Sequence, residues 1–344
     1  MSFEKLAVLG AGAIGSTIGA YLTRAGRDIT LIDLWPAHVE EMRRGGLKVT
    51  AQDEEFTVKV KALHLTDVCT LRERFDAVVL SVKSYDSVWA ATFIEPYLAS
   101  AAVLISAQNG INEDSVAQVV GYSRVIGCVV TIGAGLYEPG HVTRTNSPKR
   151  PSFAVGELNG MLTPRVQELV TVLAPAGSTR ATTNLWGDRW AKLTINCMAN
   201  PIAGITGLNN QEMRANPDVF AVTVAVAGEA LTVAQTLGVQ VEPVGGIPAQ
   251  AYLDAVSGVG VEALRGAWVE RGRSVGSGRP SLLQDVMKGR RTEVDYLNGY
   301  VVRKGREVGV PTPTNQAIVE VTKRIERGEL AQGPANLQLL TRLL

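Results

Sequence analysis

Three glycines near the beginning of the chain constrain its fold more than any other feature of the sequence. The segment LGAGAIG places Gly10, Gly12 and Gly15 in the pattern G-x-G-x-x-G, between an apolar run and an alanine-rich helical run. In a strand–turn–helix unit, the first glycine permits the tight turn and the third lets the helix pack on the strand. The second lets the backbone approach the pyrophosphate of a dinucleotide at the helix N-terminus. The residues predicted to contact that dinucleotide are Gly10, Gly12, Ala13, Ile14 and Gly15.

Short β-like runs alternate with longer helical runs through the first half of the chain. The predicted strands cover residues 5–9, 29–32, 77–82, 103–107 and 125–131, and the predicted helices cover residues 13–25, 37–44, 87–99 and 113–120. This alternation is typical of a parallel sheet covered by helices on both faces. We therefore predict a Rossmann-type, doubly wound α/β domain over residues 1–183. Three more β-like runs, at residues 56–61, 141–144 and 153–155, are expected to add antiparallel edge strands.

The pattern changes at about residue 184. Apolar residues then recur at three- and four-residue spacing, which predicts helices over residues 219–237, 285–308 and 315–327. Two glycine-rich passages, residues 243–248 and 272–280, are predicted to be loops. Residues 184–344 are therefore expected to form an all-α second domain. Its apolar helix over residues 219–237 fits a dimer face as well as a buried core helix, so a homodimer is one expectation.

An aspartate at the end of the second predicted strand bears on the choice of dinucleotide. Asp33 stands where an acidic side chain accepts hydrogen bonds from the adenosine ribose hydroxyls and repels a 2′-phosphate. This favours NAD over NADP. An alternative is that Asp33 only caps the following helix. FAD is a further alternative cofactor, although the second half of the chain does not resemble a flavoprotein.

Two polar residues follow neighbouring predicted strands. Lys83 comes directly after the strand at residues 77–82, and Asn109 comes after the strand at residues 103–107. Ligands of doubly wound sheets lie outside the carboxyl ends of the strands, so both side chains are expected to reach the nicotinamide half or the adenosine. A solvated lysine and a simple Asn-Gly turn are the alternatives.

A polar stripe runs along the predicted helix WGDRWAKLTINCMANP. Lys192, Asn196 and Asn200 lie at i, i+4 and i+8, so they share one face among apolar neighbours. Such a stripe must be satisfied, either by a substrate cleft or by exposure at the surface. Pro201 is expected to kink the helix.

A second polar set lies in the block SLLQDVMKGRRTEVDYLNGYVV. If one helix covers residues 285–308, Asp285 and Glu293 are eight residues apart and share a face. Pairing of these carboxylates with Arg290 or Arg291 within that helix is the alternative to a role in binding.

Composition excludes several classes of protein. The formal net charge is +1 and basic residues are scattered, so the chain lacks the electrostatic footprint of a nucleic-acid-binding protein. Cys69, Cys128 and Cys197 are far apart and away from the histidines, so we expect buried thiols, with neither a zinc site nor a disulfide framework. The uncharged stretch 193–211 is too polar to span lipid, and the N-terminal apolar run is too short for a signal peptide. We expect a cytoplasmic protein without a membrane, nucleic-acid or metal partner.

These segments together resemble the ketopantoate reductase family (2-dehydropantoate 2-reductases). The resemblance covers nearly the whole chain and includes the GAGAIG turn, VKSYD around Lys83, QNG at Asn109, WAKLTINCMANP and SLLQDVMKGRRTEVDYLNGYVV. It implies a Rossmann domain followed by an all-helical domain. It also implies the nicotinamide-dependent reduction of a 2-oxo acid to the 2-hydroxy acid.

The family's site residues map onto individual positions of this sequence. The resemblance implies that Lys192 is the catalytic proton donor to the carbonyl oxygen. It implies that Glu293 hydrogen-bonds the substrate hydroxyl and the nicotinamide side of the cofactor. Asn109 would touch both cofactor and substrate, and the other implied substrate-binding residues are Asn196, Asn200, Asn210 and Ser281. Desolvation is expected to lower the pKa of Lys192, and Glu293 to oppose that shift.

Two departures from the family pattern keep the substrate open. The family commonly carries a basic residue for the 2′-phosphate where this chain has Asp33, and residues 239–280 are longer than in compact members. Reduction of ketopantoate or a close analogue is the leading hypothesis. One alternative is an NAD-linked D-2-hydroxyacid dehydrogenase of the mandelate type. Another is a dinucleotide-sensing regulator without turnover, which would need neither Lys192 nor Glu293.

Overall fold

The polypeptide forms two compact units in the computed structural model, which describes residues 3–147, 149–273 and 279–344. The first unit contains the chain up to Gln108 together with Asn112–Leu185. The second contains Asn109–Ile111 together with Trp186–Leu344. The short segment after Gln108 therefore belongs to the second unit, although it lies within the first half of the sequence.

The first unit contains the strands and a first set of helices. The strands are β1 (Lys5–Leu9), β2 (Asp28–Asp33), β3 (Leu47–Thr50), β4 (Glu55–Val58), β5 (Lys61–His64), β6 (Phe75–Leu80), β7 (Leu98–Ser106), β8 (Val125–Val130), β9 (Ala134–Glu138), β10 (His141–Arg144), β11 (Pro151–Glu157) and β12 (Ser178–Ala181). The helices are α1 (Ala13–Arg24), α2 (Pro36–Gly45), α3 (Leu65–Val68), α4 (Ser87–Ile94), α5 (Glu113–Val120) and α6 (Pro164–Leu173).

The larger sheet has the strand order β12-β11-β8-β7-β6-β1-β2-β5. Its neighbouring strands are parallel except for the antiparallel pair β8–β11. The predicted α/β class with a doubly wound sheet is therefore confirmed. The strand order runs outward in both directions from β1, and the carboxyl end of β1 carries the glycine-rich turn. Such a switch point is where α/β sheets bind their ligands.

The prediction of antiparallel edge strands was wrong in its details. Residues 141–144 form β10, which joins β3, β4 and β9 in a separate sheet of order β4-β3-β10-β9. The physical reason is the alternation of buried Leu47, Val49 and Val142, whose apolar face packs in one core with Ile18 of α1. The run at residues 56–61 divides between β4 of this sheet and β5 of the larger one. The run at residues 153–155 lies in β11, which is flanked on both sides.

One predicted helix of the first unit is too long. The helix expected at residues 87–99 ends at Ile94, and β7 begins at Leu98. Pro96 lies in the short 3₁₀ turn between them, and a proline at that point disrupts continuation of an α-helix.

The second unit is helical, as predicted. After α7 (Leu185–Thr206) come α8 (Asn210–Ala215), α9 (Pro217–Thr236), α10 (Ala249–Val256), α11 (Val261–Arg273), α12 (Ser281–Met287), α13 (Asn298–Val308), α14 (Pro313–Glu326) and α15 (Gln338–Thr341). α7 continues through Pro201 to Thr206. The loop predicted at residues 243–248 joins α9 to α10. Of the loop predicted at residues 272–280, residues 274–278 lie outside the described part of the chain.

The single helix predicted over residues 285–308 was wrong. α12 ends at Met287, and Gly289 adopts φ +61°, a left-handed conformation that breaks the helical backbone. A 3₁₀ turn at Val294–Tyr296 then precedes α13. Asp285 and Glu293 consequently do not share a helix face, and the proposed intrahelical pairing does not apply.

Candidate functional site

Each glycine of the first turn stands in a different environment. Gly10 adopts φ +93°, which side-chain-bearing residues rarely adopt. A Cβ on Gly15 would lie 2.2 Å from the carbonyl oxygen of Gly10 and 2.7 Å from Val8 Cγ1, so packing of α1 on β1 requires glycine there. Gly12 has an ordinary φ of −69°, and a Cβ built on it would meet nothing within 4 Å. Neither backbone conformation nor packing requires glycine at position 12.

The open space at Gly12 fits a dinucleotide. Gly12 is the N-cap of α1, so the first N–H groups of that helix and its positive dipole end lie beside it. The Gly10 N–H donates to the Ile32 carbonyl at 2.9 Å, which holds the turn against the end of β2. The arrangement suits a pyrophosphate that approaches the backbone closely.

Asp33 ends β2 beside this turn. Its Oδ1 accepts a hydrogen bond from the Trp35 N–H at 2.8 Å. Trp35, not Asp33, is the N-cap of α2, so the alternative that Asp33 caps that helix is wrong. Desolvation raises the pKa of Asp33 from its usual value, and the N–H groups of Trp35, Leu34 and Ala11 partly oppose that increase. The residue is an anchored, half-buried carboxylate.

Lys83 and Asn109 follow the carboxyl ends of β6 and β7. Lys83 is half-buried and is the N-cap of the 3₁₀ turn Ser84–Asp86. Asn109 belongs to the second unit, where its Oδ1 accepts a hydrogen bond from Asn196 Nδ2 at 3.1 Å. Gly110 after it has φ +77°, so the Asn-Gly pair also makes a turn. Asn109 thus meets a second residue that the sequence predicted to bind substrate.

The polar stripe of α7 is largely buried. Asn196 and Asn200 are only 4% and 8% exposed, so surface exposure does not explain these amides. Lys192 is half-buried, and desolvation lowers the pKa of its ammonium group to about 8. Among the described residues no carboxylate contributes to that shift, so the expectation that Glu293 opposes it was wrong. A lysine with this pKa exchanges protons near neutral pH.

The remaining predicted site residues lie on separate elements of the second unit. Glu293 is 5% exposed and precedes the 3₁₀ turn Val294–Tyr296, where its carbonyl accepts the Tyr296 N–H at 2.9 Å. Ser281 is the first residue of α12, and Asn210 is the first residue of α8. Both are half-buried. Their roles, and that of Glu293, stay predictions.

Sequence reasoning missed a buried amide network that contacts α7. Asn298 at the start of α13 donates from Nδ2 to the Cys197 carbonyl at 3.4 Å and to Asn315 Oδ1 at 2.9 Å. Asn315 in turn donates to Glu229 Oε2 at 2.7 Å. The network contacts α7 between Asn196 and Asn200. The sequence analysis placed Asn298 inside the helix predicted over residues 285–308, and no local pattern indicates its partners Cys197 and Asn315.

The potential metal-ligating residues of the described part of the chain are dispersed. Within the described part of the chain, no group of His, Cys, Asp and Glu residues is arranged to hold a metal ion. Cys128 and Cys197 are buried as predicted, but Cys69 is exposed because it follows the short helix α3 at the surface.

Comparisons with known proteins agree with these features. Residues 6–160 match the family model of Ketopantoate reductase PanE/ApbA, and residues 184–326 match the model of its C-terminal domain. A 2-dehydropantoate 2-reductase of Archaeoglobus fulgidus is 30% identical over 332 residues, which covers 95% of this chain and 100% of that protein.

Solved structures share the fold. The crystal structure of a PanE/ApbA family ketopantoate reductase from Ralstonia eutropha superposes with a TM-score of 0.78 at 29% identity, covering 94% of this chain and 99% of that one. A D-mandelate dehydrogenase, solved with NADH and anilino(oxo)acetate, has a TM-score of 0.81 at 22% identity, with coverage of 94% and 99%. The chain belongs to the ketopantoate reductase family and is a nicotinamide-dependent oxidoreductase of that family.

Proposed function

We propose that this enzyme reduces a branched 2-oxo acid, ketopantoate or a close analogue, to the 2-hydroxy acid, and that it prefers NADH to NADPH. The observation that carries the proposal is Lys192, whose pKa desolvation lowers to about 8. Asn196 and Asn200 lie one and two turns further along the same helix and are buried amides. A proton donor beside neutral hydrogen-bond donors suits a carbonyl compound that carries a carboxylate.

In this proposal Lys192 acts on the carbonyl oxygen of the substrate. When bound, a reduced nicotinamide dinucleotide would supply a hydride to the C2 carbonyl carbon of the substrate. Negative charge develops on the carbonyl oxygen, and the Lys192 ammonium group stabilises it and transfers a proton to it. The lysine is left as the neutral amine and regains its proton from solvent. A pKa near 8 keeps most of the lysine charged at neutral pH and still makes it a competent acid.

The substrate-binding roles are assigned by residue type. We propose that Asn196, Asn200 and Ser281 donate hydrogen bonds to the substrate carboxylate, which they can do without adding charge. Glu293 would accept the hydrogen bond of a substrate hydroxyl, and Asn210 would bind at the start of α8. Asn109 would orient the amide of Asn196, since the two are joined by a hydrogen bond.

The preference for NADH is proposed from the first unit. Asp33 presents a carboxylate at the end of β2, where it would accept the ribose hydroxyls and repel a 2′-phosphate. Gly10, Gly12, Ala13, Ile14 and Gly15 would surround the pyrophosphate, and Lys83 would contact the cofactor from the end of β6. The same aspartate favours a second candidate, NAD-linked oxidation of a D-2-hydroxy acid, because NAD often serves oxidation.

We further propose a cytoplasmic homodimer. Exposed apolar residues, namely Leu237, Val256, Val259 and Val269, lie on and around α9, α10 and α11 of the second unit. The predicted face over residues 219–237 contributes little, because the side of α9 that carries Val222, Val226 and Leu231 is buried in the core. Light scattering of the purified protein tests this: a mass of two chains supports the dimer, and a mass of one contradicts it.

The proposed reaction is tested by a substrate panel followed at the NADH absorbance band. The purified enzyme is mixed with NADH or NADPH and with ketopantoate, other branched 2-oxo acids or phenylglyoxylate. NAD with D-pantoate or D-mandelate gives the reverse direction. We expect the fastest turnover with a branched aliphatic 2-oxo acid and NADH.

The alternatives predict different outcomes of the same panel. Turnover confined to aromatic substrates would replace the proposed substrate with the mandelate type. Tight binding of NADH with no turnover of any compound would contradict an enzymatic role and favour a sensor.

A further inference from the structure

A buried histidine, His38, is linked by hydrogen bonds to the glycine-rich turn and has no role in the proposed reaction. His38 lies on α2 and its side chain is fully buried. The Gly140 N–H, from the turn between β9 and β10, donates to His38 Nδ1 at 2.9 Å. On the other side of the ring, Nε2 lies 3.1 Å from Ser16 Oγ on α1. The imidazole therefore connects the small sheet to the first helix of the dinucleotide-binding unit.

The hydrogen-bond partners determine where the protons of this connection reside. A backbone N–H only donates, so Nδ1 must accept and the proton of the neutral ring resides on Nε2. Ser16 Oγ uses its single hydrogen to donate to the Ala11 carbonyl at 2.6 Å. Ser16 Oγ must therefore accept from His38 Nε2–H. A series of hydrogen bonds therefore runs from the Gly140 N–H through His38 and Ser16 to the Ala11 carbonyl.

This series of hydrogen bonds ends at the peptide group between Ala11 and Gly12. The Ala11 carbonyl and the Gly12 N–H belong to one planar trans peptide, so they point in opposite directions. Fixing the carbonyl toward Ser16 fixes the Gly12 N–H on the opposite side of the peptide. Gly12 is the glycine whose surroundings are open.

We propose that His38 is a positioning residue for the dinucleotide: through Ser16 it holds the Ala11–Gly12 peptide so that the Gly12 N–H faces the pyrophosphate. The inference rests on the proposed function in one respect, since it requires that the turn bind a dinucleotide. In this proposal His38, which lies outside the turn, keeps the turn in its binding conformation before the dinucleotide arrives. Less conformational entropy is then lost when the dinucleotide binds.

The surroundings of His38 favour the neutral imidazole that this series of hydrogen bonds requires. Burial lowers the pKa of His38 from its usual value, and the charge of Asp33 and a hydrogen bond to the Ala11 backbone partly oppose this decrease. The ring stacks on Trp35 with centroids 5.7 Å apart, which holds its plane. A protonated ring would carry a hydrogen on Nδ1 directed at the Gly140 N–H, and the connection to the small sheet would be lost.

Two substitutions of His38 separate the proposal from a general packing role. The glutamine amide nitrogen reaches approximately the position of Nε2, so His38→Gln keeps the donor to Ser16. The asparagine amide oxygen reaches approximately the position of Nδ1, so His38→Asn keeps the acceptor for Gly140 but loses the donor. Ser16→Ala removes the next hydroxyl group in this series of hydrogen bonds and leaves the histidine in place. His141→Asn, which alters a histidine bonded to Thr50 and Glu138 in the small sheet, is the control.

The measurement is the dissociation constant of NADH by fluorescence titration, with kcat at saturating NADH and the thermal unfolding midpoint as companions. We expect His38→Asn and Ser16→Ala to raise the dissociation constant about tenfold, the net effect of one hydrogen bond. His38→Gln should stay within about twofold of the wild type, as should the control, and kcat at saturation should change little in all of them.

Two results would overturn the inference. In one, Ser16→Ala and His38→Asn bind NADH as the wild type does, even if their unfolding midpoints fall. In the other, His38→Gln weakens binding as much as His38→Asn, which would show that only the packing of the ring matters. A wild-type protein that binds neither NADH nor NADPH would instead contradict the proposed function itself.

Discussion

At the scale of single residues, the three glycines of the turn after β1 differ in whether the fold or a ligand requires them. Gly10 is required by its backbone conformation and Gly15 by the close packing of α1 on β1. Gly12 has an ordinary φ and free space around its Cβ position. A bound pyrophosphate is the remaining physical reason for a glycine there.

Alanine substitutions in the turn test this distinction. Gly12→Ala should leave the unfolding midpoint nearly unchanged but weaken NADH binding by about tenfold or more, because its methyl group occupies the space of the pyrophosphate. Gly15→Ala should destabilise the protein by about 1–3 kcal/mol through overpacking. Thermal unfolding and NADH titration of both variants provide the comparison. Equal loss of stability in both would contradict this interpretation of Gly12.

Asp33 carries the prediction of cofactor preference. Asp33→Arg should shift the ratio of kcat/KM for NADPH to that for NADH upward by at least about tenfold, because repulsion of the 2′-phosphate is replaced by attraction. Asp33→Asn removes the charge without adding a cation and should give an intermediate ratio. If neither variant changes the ratio, Asp33 does not contact the adenosine ribose.

At the scale of elements, α14 depends on a carboxylate from another helix. Glu229 of α9 accepts hydrogen bonds from the N–H groups of Thr314 and Asn315 at 2.8 and 2.9 Å. These are N–H groups of the first turn of α14, which lack partners within the helix. The same carboxylate accepts from the Asn315 side chain, so it also anchors the amide network beside α7.

Glu229→Gln should therefore destabilise the second unit. The neutral amide accepts fewer and weaker hydrogen bonds than the carboxylate, so we expect a loss of about 1–3 kcal/mol in the free energy of unfolding. Glu307→Gln is the matched control, because Glu307 forms an exposed pair with Lys304 on α13 and such pairs contribute little. Urea unfolding of both variants makes the measurement, and equal midpoints would contradict the assigned role of Glu229.

The sequence predicted elements well where their signal is local. The bounds of β1, α5 and β10 agree with prediction, since each is a short segment next to turn residues such as glycine or asparagine. The small sheet was missed because β3 pairs with β10, nearly a hundred residues away. The break between α12 and α13 was missed because periodicity continues across Gly289, while its left-handed backbone ends the helix.

The candidate site was also predictable only where its residues follow a local pattern. Helical periodicity placed Lys192, Asn196 and Asn200 on one face, but whether that face is buried depends on tertiary packing. The hydrogen bond between Asn109 and Asn196 joins residues far apart in the sequence, and no local pattern indicates it. His38 is a lone histidine on an amphipathic helix, and only the fold shows its partners.

At the scale of the whole molecule, the chain combines a dinucleotide-binding unit with a helical unit that carries a desolvated lysine. α9 is long and apolar enough to cross a membrane, but 67% of its apolar window is buried inside the fold, so it serves as a core helix. The formal net charge of +1 provides no strong field to attract an anionic substrate. In the proposed function, recognition of a 2-oxo acid therefore depends on the local groups around Lys192.

The pH dependence of kcat/KM for 2-oxo acid reduction tests the role of Lys192 most directly. A general acid must be protonated, so the wild-type rate should fall as pH rises through about 8 and then decrease about tenfold per pH unit. Lys192→Ala should lose about 10²–10⁴-fold in kcat and lack this alkaline limb. Lys192→Arg, which stays charged, should be slow and independent of pH over the same range. An unchanged turnover or an unchanged alkaline limb in Lys192→Ala would contradict the assignment.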